Sequence, residues 1–207
     1  MKVFNELQAD VLKEFINVAF GAATANIAEL LDAFATLHTP NIEVIEAKDI
    51  DGYIDNKAEP CSKKYQAQQI FNGEISGETV FIIDEPSMIN LTRHFYGDLE
   101  LSEAYIKDSI LELNNILSVT TIGKLSELTE LSSEFIPPTL KIVEDGKYIE
   151  KEEKEKYPAA IIISTVLAFE DEQIKGCLFI MSTEEMIQTL KEKIDVIIKE
   201  QIPDYGN

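Results

Sequence analysis

Residues 10–17 read DVLKEFIN, and residues 108–115 read DSILELNN. Asp10, Glu14 and Asn17 of the first stretch each recur 98 positions later, as Asp108, Glu112 and Asn115. The same offset relates Glu29, Leu30 and Pro40 to Glu127, Leu128 and Pro138. Later landmarks keep step to within one residue: Phe71 with Phe169, Gly77 with Gly176, Met88 with Met186. A constant period over such a length marks an internal duplication. The chain of 207 residues therefore reads as one domain made of two repeats, residues 1–98 and 99–207.

Working outward from the two stretches, each half reads as a long helix, three strands and a second helix. In the first half, Leu12, Phe15, Ile16, Ala19, Ala23, Ile27, Leu30 and Phe34 recur at helical spacing, predicting a helix from Asn5 to Leu37. Pro40 forbids its continuation, and Ile42, Val44 and Ile45 begin a strand. Tyr65–Phe71 and Gly77–Ile83 read as two strands joined by an Asn72-Gly73 turn. Asp84 and Pro86 open a helix to about Tyr96. The second half predicts a helix from Glu103 to Ser133, then strands at Thr139–Val143, Ala159–Phe169 and Ile174–Met181. Ser182 and Glu185 form a capping box for a last helix ending near Glu200. The alternating charges of Lys147–Lys156 read as a solvated loop. The predicted fold class is α+β: a duplicated αβββα unit with pseudo-twofold symmetry, its strands in one mixed or antiparallel sheet flanked by long helices.

Composition limits the partners. The formal charge of −20 repels nucleic-acid phosphates and anionic headgroups, so neither nucleic acid nor a membrane surface is expected. Nothing in Met1–Phe20 resembles a signal peptide, and no apolar run is long enough to cross a bilayer, so a cytoplasmic protein is expected. Cys61 and Cys177, 116 positions apart, make neither a disulfide framework nor a zinc site. His38 and His94 lie far from each other and from both cysteines, and the nine glycines form no phosphate-cradling loop. An enzyme with these residues must borrow chemistry from its substrate.

Asp-x3-Glu-x2-Asn is the motif that could do so. At about 100° per helical residue, positions i, i+4 and i+7 fall within an arc of about 60°. Each triplet therefore projects from one outward face, away from Leu12 and Ala19 in one helix and from Ile110 and Leu117 in the other. Any amphipathic helix needs polar residues outside, and Asp, Glu and Asn are common choices. Apolar positions have drifted between the copies, however, Phe15 to Leu113 and Phe34 to Ser132, whereas the polar triplet is identical. Small and apolar neighbours, Gly21, Ala25 and Ala28 beyond Asn17, and Val119 and Ile122 beside Asn115, suit either a docking surface or helix-on-helix packing within the fold. A carboxylate can pair with a partner's ammonium, and a carboxamide can hold a water in line with phosphorus.

The doubled pattern Asp-x3-Glu-x2-Asn-x22-Pro resembles the CheC family, the CheC, CheX and FliY type phosphatases of the chemotaxis response regulator CheY, and its occurrence twice favours the two-site CheC type. The resemblance implies a hydrolase that removes the aspartyl phosphate of a CheY-like response regulator. Glu14 and Glu112 would pair with the regulator's active-site lysine, and Asn17 and Asn115 would position the attacking water. Asp10 and Asp108 would support them, and Pro40 and Pro138 would be structural. No cofactor would be bound by this chain, Mg2+ being supplied by the partner. The alternative is a non-catalytic module that binds the regulator or regulates the deamidase CheD. Departures from the pattern are Ile16 and Asn114 where a small residue is usual, and Val119 where Gly21 stands in the first copy. CheD-binding relatives often hold a further helix after the second proline, whereas Glu144–Pro158 is short and charged.

Overall fold

The computed structural model describes residues 4–30, 35–37, 41–57, 63–97, 100–143, 148–157, 159–169 and 172–201. The first half comprises α1 (Glu6–Leu30), β1 (Ala35–Leu37), β2 (Asn41–Glu46), α2 (Ile50–Lys57), β3 (Lys64–Gly73), β4 (Gly77–Asp84) and α3 (Glu85–Tyr96). The second half repeats that order as α4 (Glu103–Thr129), β5 (Ser133–Phe135), β6 (Thr139–Val143), α5 (Lys151–Lys156), β7 (Ala159–Phe169), β8 (Glu172–Ser182) and α6 (Glu184–Gln201). The fold is α+β, and the duplicated helix–strands–helix unit carries two additions. A three-residue strand follows each long helix, and a short helix interrupts the strands.

All strand pairs are antiparallel, in the order β1-β7-β8-β4-β3-β5, with β2 also on β7 and β6 also on β3. The order is palindromic. The pseudo-twofold axis runs between β4 and β8, which pair from Gly77 with Ser182 to Ile83 with Gly176. Edge strands are exchanged: β1 and β2 of the first half lie end to end along β7 of the second, and β5 and β6 lie along β3.

Side chains of the central strands alternate between two cores. In β4, Phe81 and Ile83 join a cluster with Leu12, Ile16 and Phe20 of α1, Leu91 of α3, Leu113 and Leu117 of α4 and Leu190 of α6. Val80 and Ile82 point to the other face, against Ile50 of α2 and against Tyr148, Ile149 and Tyr157. The four longer helices thus share one face of the sheet, and the short helices α2 and α5 cover the other.

Several boundaries differ from the sequence reading. Ala35–Leu37 pairs with β7 instead of extending α1, because a short apolar run serves a strand as well as a helix. α4 stops at Glu130, whose left-handed φ of 53° ends the helix, and Ser133 already belongs to β5. Asn72 and Gly73 are not the hairpin turn: they continue β3 and pair with Glu134 and Ser133. Gly73 has φ +139°, and a Cβ there would lie 2.5 Å from the Ser132 carbonyl oxygen. The chain reverses instead through Glu74–Ser76, where the Glu74 carboxylate accepts hydrogen bonds from the Ser132 amide (3.0 Å) and hydroxyl (2.9 Å). The cap of α6 is Thr183, whose hydroxyl accepts from the Met186 amide at 3.1 Å, and Ser182 ends β8. Finally, the charged segment taken as a loop holds α5, and Tyr148, Ile149 and Tyr157 on either side of it are buried. Asp51 of α2 accepts hydrogen bonds from the Tyr148 and Ile149 amides at 3.2 and 3.4 Å and so fastens this segment to the sheet. Asp84 caps α3 as expected, accepting from the Ser87 amide at 2.8 Å.

Candidate functional site

α1 and α4 pack side by side, with the Asn26 amide donating to the Thr120 hydroxyl at 3.1 Å across their outer surface. α1 starts with a reciprocal cap: Asn5 Oδ1 accepts from the Gln8 amide at 2.9 Å, and Gln8 Oε1 accepts from the Asn5 amide at 3.0 Å. The Gln8 side chain also donates to Asp195 at 2.9 Å, tying α1 to α6. Asp10, Glu14 and Asn17 follow on the exposed face of this anchored helix, with Leu12, Ile16 and Ala19 buried beneath. Val18, Gly21 and Ala25 are exposed nearby, giving the amide the smooth surroundings read from the sequence. Pro40 lies outside the described residues.

The second triplet has more structure around it. Asp108 and Glu112 are exposed and Asn115 is half-buried. Together with Gln69, Ile136 and Pro138 they line a concavity of ≈ 480 Å³ between α4 and the β5–β6 connection. Pro138 therefore stands in the wall of the site as well as ahead of β6. The Ile136 amide donates to the Ile70 carbonyl at 2.9 Å, which holds that wall against β3. Ile122 does not flank Asn115 outwardly: it is fully buried in the core. α4 is covered by α1, α3 and β3, so a wider arc of it is buried than in a helix packed on one side.

Three contacts were absent from the sequence reading. The Tyr96 phenol of α3 donates to the Asp108 carboxylate, and its ring stacks on Tyr105 at 4.3 Å between centroids. Gln69 Nε2 donates to Asn115 Oδ1 at 3.1 Å. Gln69 was findable, because it shares a two-residue period with the buried Tyr65, Ala67 and Phe71, and an amide on a core-facing position is the informative exception. Nothing local to Tyr96 announces its partner twelve residues away.

The bond to Asp108 raises the Tyr96 pKa above its usual 10.0, with loss of hydration and the carboxylate's charge adding to the effect. The neutral phenol is the favoured form, so this contribution is complete below the ordinary tyrosine range and is lost as pH rises through the raised value. In a spectrophotometric titration, Asp108→Asn is expected to lower the midpoint of the Tyr96 phenol toward the ordinary value. A titration curve unchanged by that substitution would remove this contact from the site.

The arrangement offers exposed carboxylates for a cationic partner group, and beside each a carboxamide with one donor and one acceptor end. Among the described residues, no group of three or more His, Cys, Asp or Glu side chains is placed to hold a metal ion. Among the same residues, no helix is long and apolar enough to cross a membrane.

The exchanged-edge antiparallel sheet with the long helices on one face is a fold shared with FliY and CheC-like proteins. The crystal structure of Thermotoga maritima FliY superposes with a TM-score of 0.73 over 93% of this chain and 98% of that one, at 15% identity. A chain of the CheX-CheY-BeF3-Mg+2 complex from Borrelia burgdorferi matches with a TM-score of 0.50, covering 80% of this chain and 96% of that one at 11% identity. Among curated proteins, the CheY-P phosphatase CheC of Bacillus subtilis is 26% identical over 140 residues, 63% of this chain. The chain spans 66% of that relative's length. No family model matches the chain. The curated match is a likeness in sequence over part of the chain, and the structural neighbours share its fold.

Proposed function

We propose that this chain is a phosphatase of a phosphorylated CheY-like response regulator, acting at two sites. The observation that carries the reading is the identical triplet on the outer faces of two adjoining helices, each ending in a carboxamide. The likeness to a CheY-P phosphatase supports it, as does a neighbour of the same fold seen in complex with CheY, BeF3 and Mg+2.

In this reading Glu14 and Glu112 pair with the regulator's active-site lysine and set its orientation. Asn17 and Asn115 enter beside the aspartyl phosphate and hold a water in line with phosphorus. The water oxygen attacks phosphorus, the bond from phosphorus to the aspartyl oxygen breaks, and the electron pair leaves with the carboxylate. Both water protons leave with the released phosphate, which gives one up to solvent according to pH. Such a transition state needs positioning more than a strong base, so a carboxamide is enough. Asp10 and Asp108 support the acid and the amide on their own helices, and Asp108 does so under the Tyr96 phenol. Pro138 shapes the β5–β6 connection at the wall of the second site, and Pro40 is assigned the matching structural role. Magnesium is left to the partner, whose phosphorylated site holds it.

The test is loss of phosphate from the isolated phosphorylated regulator in magnesium buffer, with and without this protein, alongside a binding titration. Acceleration that grows with protein concentration and saturates is expected. A complex that forms while the regulator loses phosphate at its spontaneous rate would instead identify a non-catalytic binding module.

A further inference from the structure

We propose that Gln69 is a positioning residue of the second site, fixing the Asn115 carboxamide before the partner arrives; this rests on the hydrolytic reading above. Gln69 is 2% exposed and reaches Asn115 from beneath, across the boundary between β3 and α4. Its own carbonyl accepts from the Thr79 hydroxyl at 3.2 Å, and Thr79 and Ser118 share a hydrogen bond of 2.7 Å. With the Thr79 proton on the Gln69 carbonyl, Ser118 donates to Thr79, and the Asn114 side-chain amide lies a further 3.4 Å from the Ser118 oxygen. A chain of buried polar groups thus links β3, β4 and α4 directly behind the site. Burying so many polar groups costs stability unless they are paired, and two amide atoms here, Gln69 Oε1 and Asn114 Nδ2, have no partner among the described residues. Gln69 borders the concavity, so a donor bound there could satisfy its oxygen.

The consequence for Asn115 is directional. With one lone pair of Oδ1 taken by Gln69, the carboxamide plane is set, and the second lone pair is left for the proton of a water. Among the described residues the first site has no such brace. Where α4 carries Asn114 and Ser118, α1 carries Ile16 and Phe20, both packed in the apolar core. No hydrogen bond holds the Asn17 side chain among the described residues, so it must be ordered anew with each encounter.

Two measurements test this in the full chain. In an Asn17→Ala background only the second site turns over; there Gln69→Leu is expected to lower the maximal rate of regulator dephosphorylation about fivefold, the value of one ordinary hydrogen bond. The half-saturating regulator concentration should not move. Gln66→Leu is the matched control. Gln66 lies on the same strand but on the opposite sheet face, its side-chain amide is unpartnered, and its replacement should change neither parameter. Independently of activity, side-chain amide relaxation by NMR should show Asn115 more ordered than Asn17, and Gln69→Leu should bring Asn115 down to the Asn17 level. Equal mobility of the two amides in the parent protein would overturn the proposal, as would a Gln69→Leu variant with both Asn115 order and maximal rate unchanged. If Asn115 is rigid and loosens in Gln69→Leu while the parent releases no phosphate from the regulator, the brace stands and the hydrolytic reading falls.

Discussion

Replacing Asn17 and Asn115 together by alanine is expected to return phosphate loss from the regulator to its spontaneous rate. The carboxamide is the one group in each triplet that can both donate and accept, and alanine offers a water nothing. Removing a single preorganised hydrogen-bonding group from a transition state commonly costs on the order of 10²–10³ in rate, so the double variant should lose at least that much. Each single variant keeps one intact site and should retain a measurable fraction. Binding should persist in the double variant, because Glu14 and Glu112 remain on exposed helix faces. Measured phosphate release and complex affinity must therefore separate. A double variant that still accelerates hydrolysis would move the chemistry elsewhere, and one that loses affinity in step with rate would make the amides docking groups only.

Gly77→Val is expected to have the largest effect on stability. Gly77 opens β4 between Phe71 of β3 and Ser182 of β8, where three strands meet. A Cβ at this position would lie 2.3 Å from the Met181 carbonyl oxygen and 2.9 Å from the Phe71 ring. A backbone oxygen cannot swing aside as a side chain can, so the strand itself must shift. The expected loss is ~3 kcal/mol or more, the upper range for overpacking a core. At ~3 °C per kcal/mol for a chain of this size, the melting temperature should fall by about 10 °C. Gly123 of α4 is the internal control: nothing lies within 4 Å of its would-be Cβ. Gly123→Ala should be neutral or stabilise the helix by up to ~1 kcal/mol. Equal melting temperatures for the two variants would contradict the close approach at Gly77.

Features with a period were legible before the structure. The repeat placed α1 and α4, their polar triplets outward and the apolar stripes inward, and long apolar or alternating runs placed β2, β3, β4, β6, β7 and β8. Three-residue strands have no period to read, so β1 was absorbed into the helix before it, and of β5 Ser133 was given to the helix while Glu134 and Phe135 were left unassigned. The charged residues around α5 hid the buried Tyr148 and Tyr157, because most of that segment does face water. Which strand neighbours which is not written in local pattern at all, so the exchange of edges was invisible. Within the site, the acids and amides were legible as helix positions. The polar chain behind Asn115 was not, since it depends on β3, β4 and α4 meeting. The same meeting explains why Ile122 is enclosed although it lies on the Asn115 side of its helix.

The exchange of edges also sets a timetable for synthesis. Among the described residues Asn41–Glu46 pairs with Ala159–Ser164 alone, so in a nascent chain that has emerged through α3 the strand that β2 joins is still to be made. Pairing between segments so distant in sequence is slow, and a waiting edge invites association with other chains. On the ribosome, the first repeat should therefore stay unfinished until β7 is translated, and the two repeats should complete their tertiary structure as one late event.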